Sequence, residues 1–208
     1  MLGWDDEASI KQHKGVASAL YSPIKGLSEF RSYYERTMNN LIRQHISKLR
    51  DYYQLDAVRD ATNLSHANFI ANLFHIPIKA EGSQSGITAQ ELFDKLRTIF
   101  AYVSLDLDST KSFALRAHAK QAVLDLAAIY RPVVEAVKEE IFHSLKELLG
   151  IGVGVMPDYG TDFIRRLFAE GMEVDDVVWT AIPLAAEASF QGQGVCISSG
   201  HMRIVFLM

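Results

Sequence analysis

The chain has 208 residues, 49% of them hydrophobic and 22% charged, with a formal net charge of −4. That length suffices for one medium domain, or one and a half small ones, with a real core. The composition excludes intrinsic disorder, and a mildly acidic chain without a basic stripe argues against a nucleic-acid surface.

Cys196 is the single cysteine. It cannot form an internal disulfide or a multi-cysteine metal site, and it suits a reducing compartment. The opening "MLGWDDEASIKQHKGVASAL" lacks the basic-then-apolar profile of a secretory signal. The apolar runs fall short of the roughly 20 residues a transmembrane helix needs. A cytoplasmic location is expected, with lipid-body or membrane association as the alternative.

Residues 1–26 contain Gly15, Pro23 and Gly26 as breakers and read as a poorly ordered entry. From Ser28, a plausible N-cap, apolar residues recur at three- and four-residue spacing: Phe30, Tyr33, Tyr34, Met38, Leu41, Ile42, Ile46 and Leu49. That periodicity predicts an amphipathic helix reaching residue 49 or 50. A second helix is predicted from about Asp56 to Phe74, ending at "HIPIKAEGSQSG", where Pro77 and two glycines impose a loop. Thr88 with Glu91 three residues on has capping-box spacing. It opens a third helix carrying Leu92, Leu96, Ile99, Phe100 and Val103, interrupted by "DLDSTKS".

A fourth helical region is predicted from Ser112 to about Leu149, kinked or broken at Pro132. "GIGVGVMPDYG" reads as a flexible joint, and "TDFIRRLFAEG" as a short helix closed by Gly171. Arg165 and Arg166 are adjacent, so they face different sides of it, one packed and one solvated. "EVDDVVWTAIPLAAEASFQGQG" starts acidic and becomes apolar, as a helix dipole favours. No stretch alternates with period two for long enough to make a sheet, so the chain reads as mainly α.

The histidines are His13, His45, His66, His75, His118, His143 and His201. None has a recognised ligand spacing, so each reads as an ordinary surface or core residue. The local oddity is Gln191-Gly192-Gln193. On a helix, residues 190 and 193 share a face while Gln191 is turned about 100° away. Spacing alone reads the cluster as an ordinary helix end, with Gly192 and Gly194 as stop signals.

Two long blocks change that reading. They are "HANFIANLFHIPIKAEGSQSGITAQELFDKLRTIFAYVSLDLDSTKSFALR" and, downstream, "DYGTDFIRRLFAEGMEVDDVVWTAIPLAAEASFQGQG". Over most of residues 20–194 the chain resembles the cytochrome P-450-type half of the fungal fatty-acid oxygenases, the psi-factor-producing oxygenases or linoleate diol synthases. The resemblance implies the middle helices of a haem-thiolate fold, truncated at both ends. Residues 27–194 would be the partial domain, and 195–208 a tail unlike the family.

In that family a peroxidase-like half makes a fatty-acid hydroperoxide, and the haem-thiolate half rearranges it, commonly to a diol, without an external reductase. By resemblance, residues 28–50 match a helix preceding "HANFIANLF". Residues 88–147 match mobile helices over the substrate, and 173–193 the start of the distal haem helix. The family's downstream cysteine ligand and Glu-x-x-Arg helix have no counterpart here, and Cys196 is not assigned as ligand. No cofactor-binding or metal residue is therefore identified, and the chain alone is expected to bind no haem.

The family's distal motif is of Ala-Asn-Gln-Gly-Gln type, where this chain reads Ser189-Phe190-Gln191-Gly192-Gln193. The resemblance marks Gln191 and Gln193 as catalytic amides. Phe190 replaces the asparagine and can neither donate nor accept a hydrogen bond, so a homolytic or vestigial outcome is implied. The expected function is part of an oxylipin-forming oxidoreductase acting on a long-chain unsaturated fatty acid or its hydroperoxide, inactive alone. The alternative is a non-catalytic helical lipid-binding or interaction remnant. The abrupt tail suggests a gene-model end, and a shortened distal helix predicts poor solubility. The oligomeric state is not legible in the residues.

Overall fold

The computed structural model describes residues 14–18, 27–79, 86–106, 108, 110, 112–139, 159–197 and 203–207; the side chains of 27–29, 190–197 and 203–207 lie outside that description. Helix α1 (Leu27–His45) buries Tyr33 and Leu41. It stops earlier than periodicity predicts, its last bond running from the Ile46 amide to the Ile42 carbonyl. Ile46 and Leu49 are therefore not helical positions.

Instead Ser47–Leu49 (β1) and Tyr52–Asp56 (β2) pair antiparallel across Arg50, whose φ of 55° is left-handed. Arg203–Leu207 (β3) adds to the other edge of β2, with Tyr52 opposite Leu207 and Asp56 opposite Arg203. The sequence reading foresaw no strand. These strands are three to five residues long, and the third finds its partner about 150 residues away along the chain, beyond the reach of a periodicity window.

The second predicted helix is present but wound two ways. Asp56 caps it by accepting the Arg59 amide at 3.0 Å, Ala57–Asn63 is π-helical, and Leu64–Phe74 (α2) is α-helical. His75 ends α2 in the left-handed region, and the Ile76 amide reaches back to the Ala71 carbonyl at 2.8 Å, a Schellman-type closure. Backbone bonds between Lys79 and Ile87, and between Ile87 and Pro77, then bring the chain back to the next helix.

Helix α3 (Ala89–Leu105) starts on the predicted capping box. Thr88 Oγ1 accepts the Glu91 amide, and the Glu91 carboxylate accepts the Thr88 amide. Helix α4 (Ser112–Lys138) continues unbroken through Pro132; residues 140–149 of the predicted helix, and most of the predicted joint, lie outside the described residues. Helix α5 (Tyr159–Ala169) closes at Gly171, φ 85°, as expected. Helix α6 (Val174–Ile197) continues through Pro183, Gly192 and Gly194, so neither glycine acts as a stop signal.

Helix α6 is the axis of the core. Val177, Val178, Ala181, Ile182, Ala185, Ala186 and Ser189 are buried, against α2, α3, α4 and α5. Leu92, Leu96, Leu126, Tyr130, Val133 and Val134 fill the α3–α4 side, and Phe74 meets Phe163 edge-on at 5.5 Å between α2 and α5. Burying each large side chain contributes roughly 1.5–3 kcal/mol. Val16, in the helical stretch 14–18, joins the same core. The protein is mainly α, and no described helix is long and apolar enough to cross a membrane.

Candidate functional site

The motif residues sit on the last turns of α6. Phe190, Gln191 and Gln193 belong to its helical backbone, but the disposition of their side chains lies outside the described residues. By register Gln193 is one turn beyond Ser189 and Gln191 one turn beyond Glu187. Both of those preceding residues are described. Ser189 is 2% exposed and its Oγ donates to the Ala186 carbonyl at 2.9 Å. Glu187 Oε1 accepts from Ser104 Oγ, on the last turn of α3, at 3.4 Å.

The other anchor comes from α2. His66 Nε2 lies 3.2 Å from the Ala188 carbonyl, and His66 Nδ1 lies 2.7 Å from Tyr34 Oη on α1. A carbonyl only accepts, so Nε2 carries the proton; the neutral ring then accepts at Nδ1 and Tyr34 donates. Burial lowers the His66 pKa, opposed by its backbone partners at Ala188 and Ser189, and this favours that neutral ring. Burial also pushes the Tyr34 hydroxyl well above its usual value, so it remains a donor.

Aromatic packing fixes the imidazole plane. Phe69 stacks on Tyr34 at 4.9 Å and on His66 at 6.3 Å, while Phe30 meets Phe69 edge-on at 5.2 Å. Behind this cluster the Asn72 amide donates to Tyr33 Oη and to the Asn68 carbonyl, both at 2.8 Å. The turn 186–189, just before the amides, is thus tied to α1, α2 and α3.

The arginine pair divides as its spacing predicts. Arg165 is exposed beside Asp162, whereas Arg166 is half-buried with its guanidinium 5.5 Å from the centre of the Tyr159 ring. A cavity of about 330 Å³ between α4 and α5 is lined by Val137, Lys138, Arg165, Phe168, Met172 and Glu173. None of its lining belongs to α6.

A haem needs an axial ligand with a free lone pair facing the iron. Both ring nitrogens of His66 are engaged, and His45 and His118 are exposed. Among the described residues no three His, Cys, Asp or Glu side chains gather into a metal site. These observations assign no haem ligand among the described residues; what α6 provides is a helix end whose sequence carries two amides.

Sequence reasoning marked the amides but not their supports. By spacing His66 reads as an ordinary histidine and Tyr34 as an apolar helix position. Nothing in their spacing signals a contact with a residue 122 positions away.

Comparison with known proteins gives a consistent set of relatives. Psi-producing oxygenase A of Emericella nidulans is 30% identical over 184 residues, which is 88% of this chain and 17% of that protein. A bifunctional dioxygenase–epoxy alcohol synthase of Fusarium oxysporum is 29% identical over 206 residues, 93% of this chain and 15% of that protein. Linoleate diol synthase of Gaeumannomyces graminis is 32% identical over 145 residues, 66% of this chain and 12% of that protein. The chain thus spans less than a fifth of the length of these relatives. No family model matches it. No solved structure matches it either.

Proposed function

This chain belongs to the fungal fatty-acid oxygenases that include the psi-producing oxygenases and linoleate diol synthases, and from that membership we propose that it forms part of a domain converting fatty-acid hydroperoxides into diols or related oxylipins. The family-like unit would run from 27 to 194, with 1–26 leading into it and 195–208 outside the family pattern. Helices α3 and α4 would lie over a long-chain unsaturated acyl chain, and α6 would be the start of the distal helix of a P-450-like fold. The observation that carries this reading is homology along 88% of the chain to a psi-producing oxygenase.

On this reading Gln193, on the helical face it shares with residue 190, orients the hydroperoxide group, while Gln191, turned about 100° from that face, borders it. An amide N–H can donate to one peroxide oxygen while an amide carbonyl accepts the terminal O–H. Unequal hydrogen bonding at the two oxygens polarises the O–O bond, which is how fixed dipoles favour one direction of cleavage. Phe190 adds no dipole to that face, so Gln193 is left to act alone there and the directed cleavage gives way to a homolytic or vestigial outcome.

The alternative reading is a non-catalytic chain that by itself binds lipid without turning it over. Haem titration tests this. No Soret band with thiolate character is expected, and its appearance would refute the claim. Fluorescence titration with linoleic acid and its hydroperoxide tests the substrate class: saturable binding, weakened in Q191A and Q193A, is expected. Equal binding by parent and both variants would overturn the assignment of the amides.

A further inference from the structure

We infer that His66 is a positioning residue for the glutamine pair, its Nε2–H tied to the Ala188 carbonyl so that α2 sets the helical turn on which Gln191, Gly192 and Gln193 stand. The inference rests on the proposed role of those glutamines. Its geometry is independent of that role.

In a regular α-helix the Ala188 carbonyl accepts the amide of Gly192, the residue between the two glutamines. His66 supplies that same carbonyl with a second donor, from a different helix, at 3.2 Å. Two residues earlier Ser189 Oγ does likewise at the Ala186 carbonyl, which in a regular helix accepts the Phe190 amide. Side-chain donors entering the i→i−4 ladder are a recognised cause of local helix bending. Both insertions fall in the single turn before the motif.

The imidazole has little freedom to do anything else. Tyr34 Oη holds Nδ1 at 2.7 Å, and Phe69 and Tyr34 stack on the ring. The chain of contacts runs from α1 through His66 to the α6 backbone, so a shift of α2 relative to α6 is transmitted to the turn carrying the amides. Charge is kept out of this path: no Asp, Glu, Lys or Arg contact to the ring is present among the described residues.

Two variants separate tethering from packing. H66F keeps an aromatic ring for Phe69 and Tyr34 to stack on but cannot donate. H66Q loses the ring but places an amide N–H near the Nε2 position. Amide hydrogen exchange on the whole chain is expected to speed up about fivefold at residues 190–193 in H66F, the factor equivalent to one hydrogen bond of about 1 kcal/mol. Exchange at Leu92–Phe100 in α3 should not change, and H66Q should restore slow exchange at 190–193.

A long-range proton–nitrogen correlation spectrum should also show the parent His66 as the neutral Nε2–H tautomer at pH 7. An Nδ1–H or imidazolium signature would overturn the inference. So would unchanged exchange at 190–193 in H66F, a uniform change across all helices, or an H66Q variant indistinguishable from H66F. Linoleic acid added to the same parent sample reads the functional premise separately. Unperturbed Gln191 and Gln193 side-chain amide signals under saturating lipid would refute the site while leaving the tether standing.

Discussion

Gly160→Ala is the sharpest probe of how this fold is held. Gly160 lies in the first turn of α5, where that helix crosses the C-terminal end of α2. A Cβ built there would lie 2.6 Å from His75 Cβ, 2.7 Å from the His75 amide nitrogen and 2.8 Å from the Asn72 carbonyl oxygen. Two of those atoms are backbone, so no rotamer change relieves the clash. Inserting a methyl group into such a contact typically costs about 1–3 kcal/mol, and the rigid surroundings place this case in the upper half. Alanine's helix propensity returns at most about 1 kcal/mol and less in a first turn.

The net expectation is a loss of about 2 kcal/mol, a fall in Tm of about 4–8 °C for a domain of this size. Urea and thermal unfolding followed by circular dichroism measure it directly. His75→Gly should recover part of the loss in the double variant. It deletes the nearest atom and suits a residue whose φ is 59°, while the Asn72 carbonyl remains in the way. Gly171→Ala is the control. Its φ of 85° is unfavourable to alanine, but nothing lies within 4 Å, so the cost should stay near the 1 kcal/mol of a left-handed conformation. A Gly160→Ala variant as stable as the parent would show that α2 and α5 do not meet closely, and the reasoning would fail.

Three further substitutions test the core and its caps. Tyr130→Phe removes a buried hydroxyl that has no partner among the described residues; chemical denaturation should find the variant equal to the parent or more stable by about 1 kcal/mol, since an unmade buried hydrogen bond is a cost. Phe163→Ala, emptying a fully buried ring site against Phe74, should lose about 3–5 kcal/mol and show a much lower unfolding midpoint. Thr88→Ala should cost about 1 kcal/mol by deleting the cap of α3.

The same cap has a pH signature. Its bonds to the Thr88 backbone and side chain, the largest causes, hold the Glu91 carboxyl below its ordinary value of 4.5. A depressed folded pKa gives stability that is present above the unfolded value and lost as pH falls through the folded one. Glu91→Gln should therefore flatten the stability–pH curve below about pH 4.5 and leave its neutral limb parallel to the parent's. An unchanged acid limb would count against the cap.

What could be read from the residues was local, and what could not was carried by tertiary contacts. Thr88 and Glu91, three residues apart, announce the start of α3, and Gly171 announces the end of α5, because caps are contacts within a turn. The strand pairing of Tyr52–Asp56 with Arg203–Leu207 and the bond from His66 to Ala188 join residues more than 100 positions apart. No periodicity reports them. The glutamine pair itself was visible only through resemblance, since spacing alone reads it as a helix end.

The prolines show why local signals were overruled. A proline inside a helix costs about 3 kcal/mol, the local argument for a kink or break at Pro132; Pro183 carries the same cost inside a helix that reads as continuous. Yet Val177, Val178, Ala181, Ile182, Ala185 and Ala186 on α6, and Leu126, Tyr130, Val133, Val134 and Val137 on α4, are all buried. At roughly 0.8 kcal/mol for each buried methylene-sized group, that burial exceeds the local cost several times over. Either helix could break only by exposing the core it lines. Because α6 is buried through Ser189 and tied by Ser104 at Glu187 and by His66 at Ala188, its packing holds the helix up to the turn before the two amides, and what shifts α2 is felt there.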